Sequence, residues 1–182
     1  MKALVLFANG FEEVEAITQV DFLRRGGIDV TAASIHNDKR VVGAHNIPVE
    51  ADALLSDVNA DEYNIVVLPG GMDGMLNLGG SKEVVTILKK FNEAGKWVAA
   101  ICASPSILGD NGLVEGKRCT CYPGFEDHMK GGKTCTNEVV VDGNIITSRG
   151  PGTSIAFALK MIELLKDKET AIEVGKDCLY LD

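Results

Sequence analysis

Short runs of uninterrupted apolar residues punctuate the first half of the chain: Ala3–Phe7, Val30–Ile35, Ile65–Leu68 and Trp97–Ile101. Runs of this length and continuity predict strands buried on both faces, the pattern of a parallel sheet. Between them the apolar residues fall at helical intervals. Val14–Arg25 sets Val14, Ile17 and Val20, with the neighbouring Phe22 and Leu23, toward one broad side and stops at Gly26-Gly27. Lys82–Ala94 spaces Val84, Leu88 and Phe91 in the same way and stops at Gly95. Glycine just past the last periodic residue is a common helix stop. The β-α-β alternation predicts an α/β fold: a doubly wound, mainly parallel sheet with helices on both faces, whose ligands bind outside the carboxyl ends of the strands.

The pattern loosens after Ile101. Ser104–Leu108 begins a helix that closes at Gly112-Leu113, and Val139–Thr147 reads as a hairpin turning at Asp142-Gly143. Arg149–Ser154 is a glycine-proline loop feeding a helix over Ile155–Lys166, with Ile155, Leu159 and Ile162 on one side. Such a loop can hold an anion, but a tight strand-to-helix turn is the simpler account. With no repeat, low-complexity segment or linker, residues 1–182 read as a single domain.

Composition narrows the function. The 182 residues are 46% hydrophobic and 24% charged, with a formal net charge of −8. Phosphate backbones and anionic membranes call for clustered Lys and Arg, so nucleic acid and membrane are not expected partners; small molecules and proteins are. No apolar run approaches membrane-spanning length. Five cysteines, Cys102, Cys119, Cys121, Cys135 and Cys178, are an odd number that does not suit a disulfide framework, and the opening apolar run reaches Asn9-Gly10 too soon for a signal peptide. A reducing cytoplasm is the expected compartment. His36, His45 and His128 are scattered, and Cys119-x-Cys121 lacks the spacing and second ligand pair of structural zinc, so no metal is expected. In a strand those two cysteines would share one face, where small apolar packing is a simpler role than peripheral redox chemistry. Gly70-Gly71-Met72-Asp73-Gly74 lacks dinucleotide spacing, and no cofactor is expected.

The strongest chemical signal is Trp97–Ser106, an apolar strand that ends on Cys102 and turns at once into small, helix-starting residues. This reads as a nucleophile elbow: a thiol on the first turn of the following helix, where free N–H groups and the macrodipole favour the thiolate. Taken alone, the same run also suits a buried, inert cysteine. Pro69-Gly70-Gly71 follows another strand and offers unobstructed N–H groups, either an oxyanion hole or a plain turn. Glu12, Glu13 and Glu15 crowd a helix N-terminus after the first strand, most of them as caps and solvated charges. The loops after Phe7, Leu68 and Ile101 would converge in this fold, giving a thiol, a carboxyl and free N–H groups one pocket.

Four stretches, Gly10-Phe11-Glu12-Glu13-Val14-Glu15, Val66–Gly71, Ala99–Pro105 and Thr147–Ser154, together resemble the ThiJ/PfpI superfamily over essentially the whole chain. The similarity is to the branch of the Parkinson-disease-linked protein deglycase and bacterial YajL. It implies a flavodoxin-like fold, Cys102 as nucleophile, Glu15 as the protonated carboxyl on its thiolate or sulfinate, and the backbone N–H groups of Gly71 and Ala103 as the oxyanion hole. It also implies a homodimer in which Arg25 approaches the partner's site. One position departs from the deglycase pattern: Tyr122 stands where the deglycase has a histidine. A phenol with a pKa of about 10 is a poor base at neutral pH, and nothing local lets His128 replace it. Peptidase and amidotransferase chemistry are disfavoured.

Two functions remain in view. One is a cofactor-free deglycase or glyoxalase-type enzyme acting on reactive dicarbonyls or glycated proteins, with Glu15 as proton carrier. The other is a non-enzymatic redox sensor or stress chaperone that uses oxidation of Cys102 and needs no base. A link to thiazole monophosphate biosynthesis is weaker, since no dedicated phosphate site is evident.

Overall fold

A computed structural model describes residues 1–182. The elements run β1 (Lys2–Phe7), α1 (Glu13–Arg25), β2 (Asp29–Ser34), β3 (Arg40–Val42), β4 (Pro48–Glu50), β5 (Ala53–Leu54), β6 (Ile65–Leu68), α2 (Met72–Gly80), α3 (Lys82–Glu93) and β7 (Trp97–Ile101). They continue through α4 (Pro105–Asp110), β8 (Arg118–Cys119), β9 (Lys133–Thr134), β10 (Val139–Asp142), β11 (Ile145–Ser148), α5 (Ser154–Leu165) and α6 (Lys168–Asp177). Seven strands form one sheet in the order β10-β11-β7-β6-β1-β2-β5. All its pairings are parallel except β10 against β11, the hairpin expected around Asp142-Gly143. The chain builds outward from β1 to β2 and β5, then returns to the other side of β1 to lay down β6 and β7. That reversal opens a crevice at the carboxyl ends of β1 and β6, the place where such sheets bind ligands.

Alternate residues of β1 face opposite layers, so the strand is apolar throughout. Ala3, Val5 and Phe7 pack with Phe22 and Leu23 of α1, Phe157 and Ile162 of α5 and Val174 of α6. Leu4 and Leu6 pack on the other side with Val84, Leu88 and Phe91 of α3 and Ile107 and Leu108 of α4. The Ser81 hydroxyl caps α3 by accepting from Val84 N at 3.3 Å. Val84 and Leu88 are fully buried, each contributing roughly 1.5–3 kcal/mol to stability. No helix is long and apolar enough to cross a membrane.

Two parts of the sequence reading need correction. Only the second half of the apolar stripe assigned to α1 faces the core: Phe22 and Leu23 are buried and Val20 packs against them, but Val14 and Ile17 are 51% and 44% exposed, and Glu13, Glu15, Ala16 and Gln19 are buried in their place. The helix is rotated so that polar side chains near its head enter the crevice. Met72–Gly80 is a helix in a stretch to which the sequence pattern assigned no element. Its glycines lower helix propensity, yet Gly74 allows close packing, since a Cβ there would lie 2.8 Å from Phe11 Cα.

Candidate active site

β7 delivers Cys102 to the crevice in a conformation that few non-glycine residues adopt, with φ at +66°. Left-handed backbone of this kind costs of order 1–3 kcal/mol and persists only where the surroundings impose it. Three segments do so. Cys102 N donates to Ser148 O at 3.0 Å, and Cys102 O accepts from Tyr122 N at 2.8 Å. The Ser104 hydroxyl donates to Pro69 O, tying the elbow to the loop after β6. α4 begins only at Pro105 and is six residues long, so the thiol precedes the helix instead of sitting on its first turn.

Glu15 lies in the first turn of α1 and is fully enclosed. Its Oε2 accepts from Gly70 N at 2.8 Å. Gly70 is a functional position that the sequence reading left without a role of its own. A Cβ there would stand 2.4 Å from Glu15 Oε2 and 2.6 Å from Cys102 Cβ, so the carboxyl and the thiol close on a bare Cα. Gly71 turns the chain with φ at +88°, and a Cβ on it would meet Gly10 O at 2.2 Å. The N–H groups of Gly71 and Ala103 act on the sulfur and favour its ionised form. The three predicted loops therefore converge, bringing Cys102, Glu15, Gly71 and Ala103 together.

Burial dominates the electrostatics. It raises the Glu15 carboxyl from 4.5 to about 7, helped slightly by Glu12 and opposed by the Cys102 and Gly70 hydrogen-bond contacts. Burial also pushes the Cys102 thiol from 9.0 to about 12, reinforced by the charge of Glu15 and its hydrogen bond, against the pull of the two N–H groups. The pair thus loses its first proton near neutrality and its second far above. This corrects the expectation of a thiol ionised by a helix start: desolvation and a neighbouring carboxylate outweigh the dipole. Glu15 can take the thiol's proton when sulfur becomes the nucleophile.

The other predicted residues are placed as follows. Tyr122 touches Cys102 through its main chain, its ring lies beside Gly150, and the residue is exposed. His128 is engaged with Asp110 at the end of α4, 3.0 Å away. Arg25 pairs with Asp21 at the far end of α1, about 15 Å along the helix from Glu15 at 1.5 Å per residue. Glu13 is not a solvated cap: it is buried and accepts from His45 N at 2.7 Å and meets His45 Nδ1 at 2.8 Å. That pairing, with Glu12 Oε2 at 3.7 Å, brings a histidine to the acidic cluster that the sequence kept apart. His45 is held more basic than usual by Glu13 and Glu12, and Glu13 more acidic by His45 despite its burial. Cys119 and Cys121 pack into the α3 layer as apolar filling, and all five cysteines are free.

Residues 1–164 match the family model described as the DJ-1/PfpI family. The chain is 42% identical over 176 residues to Protein DJ-1 homolog B of Arabidopsis thaliana, covering 96% of this chain and 40% of that longer protein. It is 39% identical over 168 residues to a deglycase of Pyrococcus abyssi, covering 91% of this chain and all of that protein. Its fold superposes on the oxidized form of DJ-1 from Toxoplasma gondii with a TM-score of 0.95 at 38% identity, over 98% of each chain.

Proposed function

The chain belongs to the DJ-1/PfpI family, and from that membership and the Glu15–Cys102 pair we propose that it is a cysteine-dependent stress-response protein acting on reactive dicarbonyls or glycated protein adducts. The observation that carries this reading is a carboxyl titrating at about 7 in contact with a thiol. Near neutrality it is ionised often enough to accept a proton and protonated often enough to return one.

With methylglyoxal, the Cys102 sulfur attacks the aldehyde carbon, Glu15 takes the thiol proton, and the carbonyl oxygen becomes an oxyanion facing the Gly71 and Ala103 N–H groups. Proton return gives a hemithioacetal. Removal of its carbon-bound hydrogen as a proton by Glu15 gives an enediol, and reprotonation at the neighbouring carbon gives a thioester. Water then cleaves the carbon–sulfur bond, releasing lactate and the free thiol. Every step uses this chain's own groups and water. The test is lactate formation from methylglyoxal by wild type and Cys102→Ala. Loss of turnover in the variant supports the reading, and equal turnover refutes it.

A second reading is favoured by Tyr122, which stands where the deglycase has a histidine. Here Cys102 serves as a redox sensor: peroxide oxygen transfers to sulfur with release of water, giving sulfenate and then sulfinate, which the N–H groups and protonated Glu15 can hold. Turnover of dicarbonyl without peroxide separates the two. We also infer a homodimer through α1, whose Val14 and Ile17 lie exposed on the helix that carries Glu15, with Arg25 near the partner's site. A reducing cytoplasm suits five free thiols.

A further inference from the structure

Three buried side-chain atoms have no hydrogen-bond partner: Glu15 Oε1, Gln19 Oε1 and Ser154 Oγ. Buried polar atoms almost always pair, so three orphans in one protein call for an account. They are not scattered. Glu15 and Gln19 stand four residues apart on α1 and so share a face, and both are fully enclosed. Gln19 Nε2 donates to the main-chain O of Ser154, the first residue of α5, at 3.2 Å. Ser154 in turn follows the loop from β11, whose Ser148 O holds the Cys102 N–H. The orphans line one seam between α1 and α5, next to the strand ends that present the thiol.

The chemistry of each group fixes what is missing. Ser154 O can only accept, so the Gln19 amide must turn its nitrogen there and leave Oε1 as an acceptor. Glu15 Oε2 already accepts from Gly70 N. An ionised Oε1 could find no donor in an amide oxygen on the next turn, whereas a protonated Oε1 would donate. The Ser154 hydroxyl can donate or accept. We propose that Gln19 is a positioning residue for Glu15: its Oε1 receives the hydrogen bond of a proton carried on Glu15 Oε1, directly or through one water that the Ser154 hydroxyl also holds, and leaves Oε2 turned to Gly70 and the thiol. This deepens the reading of Glu15 as proton carrier and rests on it. The ionisable groups acting on Glu15 are Cys102 across the pocket and Glu12 at the head of α1, while the β6 loop meets it with the neutral Gly70 N–H, and α5 reaches the next turn of α1 through the contact of Ser154 with Gln19. Gln19 and Ser154 are thus the neutral polar side chains through which proton position on the carboxyl is set.

Infrared spectroscopy tests this without turnover. At mildly acidic pH in heavy water, the stretch of a protonated buried carboxyl is identified as the band lost in Glu15→Gln. The expected result is that Gln19→Leu, with an unchanged circular dichroism spectrum, moves this band to higher wavenumber, as for a carboxyl whose hydrogen bond is removed. Ser154→Ala should move it less, since the Gln19 acceptor remains. Gln19→Met, matched in length, serves if the leucine variant does not fold. A band present in wild type and unmoved in the folded Gln19 variant overturns the role of Gln19 alone. Absence of any such band from wild type overturns both this proposal and the protonated Glu15 on which it rests.

Discussion

Glu15→Gln should make the protein more stable at alkaline pH than its wild type. The carboxyl titrates at about 7 in the fold and at about 4.5 when freed from it. Below the lower value it is protonated in both states and has no effect on the pH dependence. Between the two, the unfolded chain releases a proton that the folded chain keeps, so stability falls as pH rises; above 7 the penalty is complete. The interval of about 2.5 pH units, at about 1.4 kcal/mol each, comes to about 3.5 kcal/mol. Glutamine cannot ionise, yet its amide oxygen can still accept from Gly70 N. Urea titrations of both proteins at pH 5, where a small part of the penalty is already present, and at pH 8 should therefore show wild type losing about 2.5 kcal/mol more than Glu15→Gln. For a chain of this size the same difference is roughly 5–10 °C in melting temperature. Groups common to both proteins, including the exposed His45, cancel in the comparison. Identical pH profiles for the two proteins would refute burial as the origin of the raised carboxyl.

The same carboxyl should govern the thiol: alkylation of Cys102 in wild type should accelerate as pH passes through about 7, where Glu15 becomes able to take the thiol proton, a limb missing from Glu15→Gln, which lacks that base although its thiol is freed of the neighbouring charge. Under mild peroxide, peptide mass spectrometry should find oxygen on Cys102 before Cys119, Cys121, Cys135 or Cys178; the opposite order would remove the redox reading. Gly70→Ala should cost at least about tenfold in turnover, about 1.4 kcal/mol, and lower stability by about 1–3 kcal/mol, because its Cβ would collide with both Glu15 and Cys102. Wild-type activity in that variant would show that the carboxyl and thiol need not be so close. Light scattering should give twice the chain mass, and a monomer at micromolar concentration would exclude any contribution of Arg25 to a neighbouring site.

Strands β1, β6 and β7 were legible because burial on both faces leaves an apolar run with no alternation to confuse it. Cys102 was legible because its strand runs straight into small residues. The head of α1 was misread for the opposite reason: Phe22 and Leu23 reach the core as their spacing predicts, but the first turns bury Glu15 and Gln19, which the crevice needs, and leave Val14 and Ile17 exposed. No periodicity rule finds a carboxyl turned inward. α2 was hidden because three of its nine residues are glycines, and the use of one of them, Gly74, is close approach to Phe11, a contact made only after the chain has crossed the sheet. The ionisation of the thiol was misjudged because a helix start is visible in sequence, whereas desolvation depends on everything packed around it. His45 reaches Glu13 from 32 residues away, a distance that spacing alone does not bridge.

The reversal of strand order at β1 has a consequence for the order in which the molecule is made. Glu15 meets Gly70 across 55 residues, and Cys102 arrives on the next strand beyond. Non-local parallel pairings of this kind form late and slowly, because loop closure must precede the contacts that reward it. During synthesis the head of α1 emerges long before the strand that carries the thiol. A nascent or unfolded chain therefore carries Cys102 as an ordinary cysteine, hydrated and without a carboxyl beside it. The distinctive proton affinity of the site is a property that the chain acquires only on completing its sheet, and the titration of this one thiol can be used as a clock for the last step of folding.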